Sequence, residues 1–188
     1  MYLNQLEIRN RLDEEFDELV DYISALPDIR FTVALNGQWS TGQHLEHLVK
    51  SIRPTCNGLG YPKITLRYYG VSSSPSRSYD QVSAMYDDLQ GNGCSSIKEW
   101  MPGIAYPAQK IALLSEFLSL HQKLNRKLAE WTEPELDKYR LPHPLMGKLT
   151  MRESLYFIIC HTKHHLRKIQ DLEPVGQSWE NQLQQLIF

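Results

Sequence analysis

The chain has 188 residues, 41% of them hydrophobic, enough for one substantial core, which sets the expectation of a single domain over residues 1–188. Its formal net charge of -2 lacks the basic excess of a nucleic-acid binder, and no apolar run approaches the roughly 20 residues that a membrane-spanning helix needs. The polar N-terminus MYLNQLEIRNRLDEE has no signal-peptide pattern, and Cys56, Cys94 and Cys160 form no CxxC pair, so a cytoplasmic protein with reduced thiols is expected.

From Leu3 to Leu26 the residues Leu6, Leu12, Phe16, Leu19, Val20, Ile23 and Leu26 recur at helical spacing opposite Arg9, Arg11, Asp13, Glu14 and Asp21. That predicts an amphipathic helix, stopped by Pro27. Ser40 followed by Gln43 forms a capping-box signature for a second helix, which runs through His44, Leu45, His47, Leu48, Val49 and Ile52 towards Pro54. Trp39, just before the cap, is placed to pack on Leu or His side chains of the first turn. From Asn57 to Pro107 the sequence is rich in Gly, Pro and Ser, with one amphipathic stretch from Ser78 to Leu89; it reads as a crossover carrying a short helix over one end of the molecule.

A third long helix is predicted over Ala108 to Trp131, with Ile111, Leu114, Phe117, Leu118, His121, Leu124 and Leu128 on one stripe. Thr132 and Glu135 cap a short helical piece, and Leu141, Pro142, His143 and Pro144 break the pattern. A fourth long helix starts at Thr150, with Glu153 completing its capping box, and ends before Pro174; Trp179, Leu183 and Leu186 suggest a short last helix within Ser178 to Phe188. Four long amphipathic helices with one long link between the second and third describe an all-α fold, an antiparallel four-helix bundle with a crossover.

Chemistry concentrates in the histidines. His161 and His165 are four apart in a helical pattern, so their rings share a face one turn apart, the spacing by which a helix offers two imidazoles to one metal ion. His164 lies about 100° away and is expected to point towards solvent. HxxxH alone fits a hydrogen-bonded interfacial pair as well as a metal site. On the second helix, periodicity places His44 nearer the apolar arc than His47 and does not select His47. His121 lies on an apolar stripe and reads as a core histidine.

Two stretches carry a family resemblance. Trp39 to Leu48, WSTGQHLEHL, is similar to the Trp-Ser-x-x-(Glu/Gln)-x-x-x-His-Leu segment of the DinB/YfiT-like superfamily. His143 to Ile169, with its His-Pro, Gly-Lys-Leu-Thr, acidic residue and His-x-x-x-His, resembles that superfamily's C-terminal signature. The stretch Arg77-Ser-Tyr-Asp80 resembles the crossover of its larger members. The resemblance implies a four-helix bundle that takes one metal-ligating histidine from the second helix and two from the last, here His47, His161 and His165. His44 and His164 then become pocket residues or partners of the ligands, as does Glu46; Glu153 is favoured as a helix cap.

Three neutral imidazoles leave an open position on a divalent transition metal, zinc or nickel, as in a catalytic site. The resemblance implies a metal-dependent hydrolase or a low-molecular-weight-thiol S-transferase, with a small-molecule substrate. The alternative is a non-catalytic metal- or small-molecule-binding bundle. Arg67, Tyr68, Tyr69 and Arg77 are weaker candidates for an anion pocket, and pairing into a homodimer through apolar faces is a further expectation.

Overall fold

A computed structural model describes residues 1–34, 37–93 and 96–172. Cys94 and the expected last helix in 178–188 lie outside the described residues. Four long helices, α1 (Gln5–Ala25), α3 (Thr41–Leu59), α6 (Lys110–Leu128) and α8 (Met151–Gln170), form a bundle. Around it lie α2 (Asp28–Thr32), α4 (Lys63–Tyr69), α5 (Tyr79–Gly91) and α7 (Glu133–Lys138), with a hairpin of β1 (Arg140–His143) and β2 (Gly147–Thr150). In the bundle, α1 packs on α6 and α8, and α3 packs on the same two, so α1 and α3 occupy opposite corners. The long crossover joins α3 to α6, as expected, and its helix α5 packs on α8. None of the described helices is long and apolar enough to cross a membrane.

Caps set the helix starts. Ser40, Thr132 and Thr150 cap α3, α7 and α8 with Gln43, Glu135 and Glu153, as expected, and Ser78 forms a further box with Gln81 at α5. Asn4 and Glu7 form a further box at α1, a signal present in the sequence but not used in placing its start. At α3, the Ser40 Oγ accepts from the Gln43 backbone N–H at 3.3 Å and the Gln43 side chain accepts from the Ser40 N–H at 2.9 Å. Ser40→Ala leaves one of these donors without its partner and is expected to lower stability by about 1 kcal/mol, read as a lower urea midpoint at unchanged slope.

Several details differ from the pattern-based reading. Leu6 is exposed and Ile8 is buried in α1, because Ile8 lies one turn before Leu12 on the same face and Leu6 does not. Ile111 is exposed at the start of α6, where Leu120 joins Phe117, Leu124 and Leu128 in the core instead. α3 passes through Pro54 to Leu59, held by burial of Thr55, Cys56, Gly58 and Leu59 against the loss of one backbone hydrogen bond. The hairpin was not anticipated: its strands have four residues each and contain Pro142, too short for an alternating pattern to show. Gly147 closes it at φ 72°, a left-handed conformation that favours glycine.

Two features position the site. α8 is covered by α1, α3 and α5, and every residue from 151 to 162 is buried. The first turn of α3 is approached closely by the end of the crossover: a Cβ on Gly42 would lie 2.6 Å from the Ala105 side chain and 2.7 Å from the Phe31 ring. Glycine at 42 therefore lets α2 and the crossover close over the end of the bundle where α3 begins.

Candidate metal centre

α3 delivers His44 and His47 to this end of the bundle, and α8 delivers His161 and His165 across from them. All four are buried, at 4–7% exposure. One Nε2 or Nδ1 atom of each of His47, His161 and His165 lies within 4.8 Å of the others. The His161 Nε2 is 3.0 Å from the His47 Nε2 and 2.9 Å from the His165 Nε2.

Proton placement shows what these contacts mean. The His47 Nδ1 is 2.9 Å from the Trp100 carbonyl oxygen, which only accepts, so the proton is on Nδ1 and Nε2 carries a lone pair. The Ser51 hydroxyl can donate to the Leu48 carbonyl at 3.1 Å, and its oxygen, 3.3 Å from the His161 Nδ1, is then placed to accept a proton held there. With its proton on Nδ1, His161 bares Nε2 as well, and the two nitrogen lone pairs then face each other at 3.0 Å. That contact is repulsive unless a cation shares it. The three histidine nitrogens lie close enough together for one divalent metal ion to be held among them. The residues present fit the ion.

Electrostatics points the same way. Burial pushes the pKa of His161 and His165 well below the usual imidazole range, with neighbouring histidines adding to the effect. Burial also lowers His47, against the Trp100 carbonyl that raises it, and takes His44 to about 3. All four rings are therefore neutral near pH 7, the form that ligates metal.

The cluster opens onto a cavity of about 410 Å³, within the range of small-molecule sites. Trp39 packs against His44, His47 and His165, stacking on His165 at 6.2 Å. Phe157 stacks on His161 at 4.8 Å, and Tyr86 meets His161 edge-on. His143, at the end of β1, also lines the cavity. Its Nδ1 accepts from the Leu145 and Met146 N–H groups, and burial lowers its pKa to about 4. No described residue of the lining is a carboxylate.

The structure sorts the other candidates. His44 reaches the cluster through His165, its Nδ1 2.8 Å from the His165 Nδ1. His164 does not simply face solvent: it is half-buried, lines the cavity and meets the Tyr86 ring edge-on at 5.5 Å. The α5 helix, which packs on α8, covers the direction the wheel assigned to water. Glu46 does not join the histidines. One residue before His47, it points about 100° away, pairs with Lys50 at 2.7 Å and accepts from the Gly103 N–H at 2.9 Å, which ties the crossover to α3.

Glu153 caps α8 and pairs with Arg77. That ion pair also takes Arg77 out of consideration for an anion pocket. Tyr68 is 89% exposed, and Tyr69 lines a smaller neighbouring cavity. His121 is a satisfied core histidine, 2.7 Å from Asp13. Ser51 and Trp100 were missed. Ser51, one turn after His47, was legible as a polar residue on an apolar face; Trp100 was not, because its carbonyl is placed by the path of the crossover.

Comparison with known proteins adds to this geometry. No curated protein matches the chain. Among solved structures the chain is similar to YfiT from Bacillus subtilis, described as a probable metal-dependent hydrolase with an unusual four-helix bundle topology. The identity is 21%, the match covers 92% of this chain and 87% of that one, and the TM-score is 0.57, a likeness of fold. A family model described as the DinB superfamily matches residues 11–169, most of the sequence. The chain belongs to the DinB superfamily.

Proposed function

We propose that this protein is a metal-dependent enzyme acting on a small molecule, with one zinc or nickel ion held by Nε2 of His47, His161 and His165. The observation that carries the reading is the convergence of these nitrogens, with the Trp100 carbonyl and the Ser51 hydroxyl oxygen placed to accept the Nδ1 protons of His47 and His161. When bound, such an ion supplies Lewis-acid chemistry, polarising an oxygen or holding a thiolate.

The chain's own residues do the rest. Trp39, Trp100 and Phe157 give the cavity apolar walls that limit water. His143 and His164 stand beside the cluster as neutral imidazoles able to accept or pass a proton. Three neutral ligands leave the charge of a divalent ion uncompensated, and the described lining residues add no carboxylate, so a substrate with an anionic group is favoured.

Hydrolysis is the first reading, supported by the description of YfiT. Thiol S-transfer is the second; it is favoured by the carboxylate-free lining, which suits a thiolate and offers no acidic general base. Zinc- and nickel-loaded protein assayed against a panel of nitrophenyl esters, and against monobromobimane with cysteine, separates them. Metal-dependent ester cleavage supports the hydrolase, and metal-dependent bimane conjugation supports the transferase. A loaded protein inactive in both assays contradicts the enzymatic reading and leaves a metal-binding bundle.

A further inference from the structure

His47 and His161 each rest their Nδ1–H on an oxygen, as metal-bound histidines do. Among the described residues, His165 has no oxygen partner of this kind. Its Nδ1 faces the Nδ1 of another buried imidazole, His44, at 2.8 Å, with the two rings tilted by 56° and their centroids 5.0 Å apart. Trp39 packs on both rings, edge-on to His44 and stacked on His165 at 7°. The pair is thus held in a fixed orientation.

Two neutral imidazoles meeting through Nδ1 atoms share one proton, so the tautomer of either ring sets that of the other. Without a cation, a His161 that holds its proton on Nδ1 accepts at Nε2 from a His165 Nε2–H at 2.9 Å. His165 Nδ1 then accepts, and His44 carries its proton on Nδ1. A cation at the cluster requires the reverse. His165 must bare its Nε2 and hold its proton on Nδ1, which the His44 Nδ1 can accept only if the His44 proton sits on Nε2.

We propose that His44 is the positioning residue for His165, switching tautomer when the ion binds. The exchange is balanced: the His165 Nε2 proton passes to water, the His44 Nδ1 proton passes to His165 Nδ1, and water returns a proton to His44 Nε2. The net charge of the pair is unchanged. This inference rests on the three-histidine reading proposed above and extends it to a fourth imidazole, which acts on the ion through His165.

Long-range proton–nitrogen spectra of histidine-labelled protein, metal-free and zinc-loaded, read the tautomers directly. The expected result is a proton on His44 Nδ1 without zinc, and protons on His44 Nε2 and His165 Nδ1 with it. Competition with a chelator measures zinc affinity alongside. His44→Phe is expected to weaken zinc binding about ten- to a hundredfold. His44→Gln, whose side-chain oxygen can accept from His165 Nδ1–H, recovers most of that loss and shows that the fold is not the cause. If wild type binds zinc but His44 keeps the same tautomer in both states, or His44→Phe binds zinc as tightly as wild type, the role of His44 is overturned and the three-histidine site stands. If wild type binds no zinc or nickel, both fall.

Discussion

His161→Ala, loaded with zinc or nickel and passed through a desalting column, is expected to emerge nearly metal-free, whereas wild type carries about one ion per chain. His161 is the middle member of the cluster, 3.0 Å from one neighbouring Nε2 and 2.9 Å from the other. Removing it leaves two imidazoles on different helices with no nitrogen between them. Tight protein zinc sites bind with about 10–16 kcal/mol, so losing one of three protein ligands is expected to cost roughly a third of that, about a few hundredfold to several thousandfold in affinity. Elemental analysis makes the comparison, with His164→Ala as the control. His164 is adjacent in sequence and lines the same cavity, but its ring contacts are with Tyr86 and the edge of His165. It should retain the ion. Equal loss in both variants would mean that disturbing α8, and not removing a ligand, empties the site.

The second large effect lies away from the cavity. Arg152 is fully buried beneath the N-terminal segment and α7. Its guanidinium donates to the Leu3 carbonyl at 2.8 Å, to the Asp137 carboxylate at 2.6 Å and to the Glu133 carboxylate at 2.6 Å. Arg152→Met keeps the bulk and removes the charge. Breaking a buried pair typically costs about 3–5 kcal/mol, and the lower end applies here because Glu133 and Asp137 are partly exposed. For a chain of this length about 3 kcal/mol lowers the melting temperature by roughly 6–12 °C, which calorimetry resolves.

The pH dependence has a definite sign. Burial alone would raise the Asp137 carboxyl, but hydrogen bonds from Arg152, Ser76 and Tyr2 outweigh it and hold it below its ordinary 3.8. A carboxylate with a depressed folded pKa stabilises the fold fully above its unfolded pKa and loses that contribution as pH falls through the folded value. Wild-type stability should therefore drop below about pH 4. Arg152→Met should show a shallower drop in the same window, because the largest of the forces depressing Asp137 is gone.

Long-range order was legible in the sequence wherever a local signal was strong. The four boxes at Ser40, Ser78, Thr132 and Thr150 mark helix starts because Ser or Thr three residues before Gln or Glu satisfies two backbone N–H groups at once. The HxxxH pair was legible because helical spacing places both rings on one face. Periodicity alone favours His44 over His47, whereas the structure buries both, one against His165 and one against His161, so nearness to the apolar arc does not decide which ring joins the cluster. The hydrogen bond from His47 to Trp100, and the diversion of Glu46 to Gly103, depend on the course of a crossover more than fifty residues further along the chain. No pattern local to α3 carries that information. Helix α5 hid His164 from solvent for the same reason.

X-ray absorption on the zinc- or nickel-loaded protein tests the central claim most directly. The account predicts one ion per chain with a first shell of nitrogen and oxygen donors near 2.0–2.1 Å, including the outer-ring scattering of three imidazoles. A loaded protein showing sulfur in that shell, or fewer than three imidazoles, would contradict it.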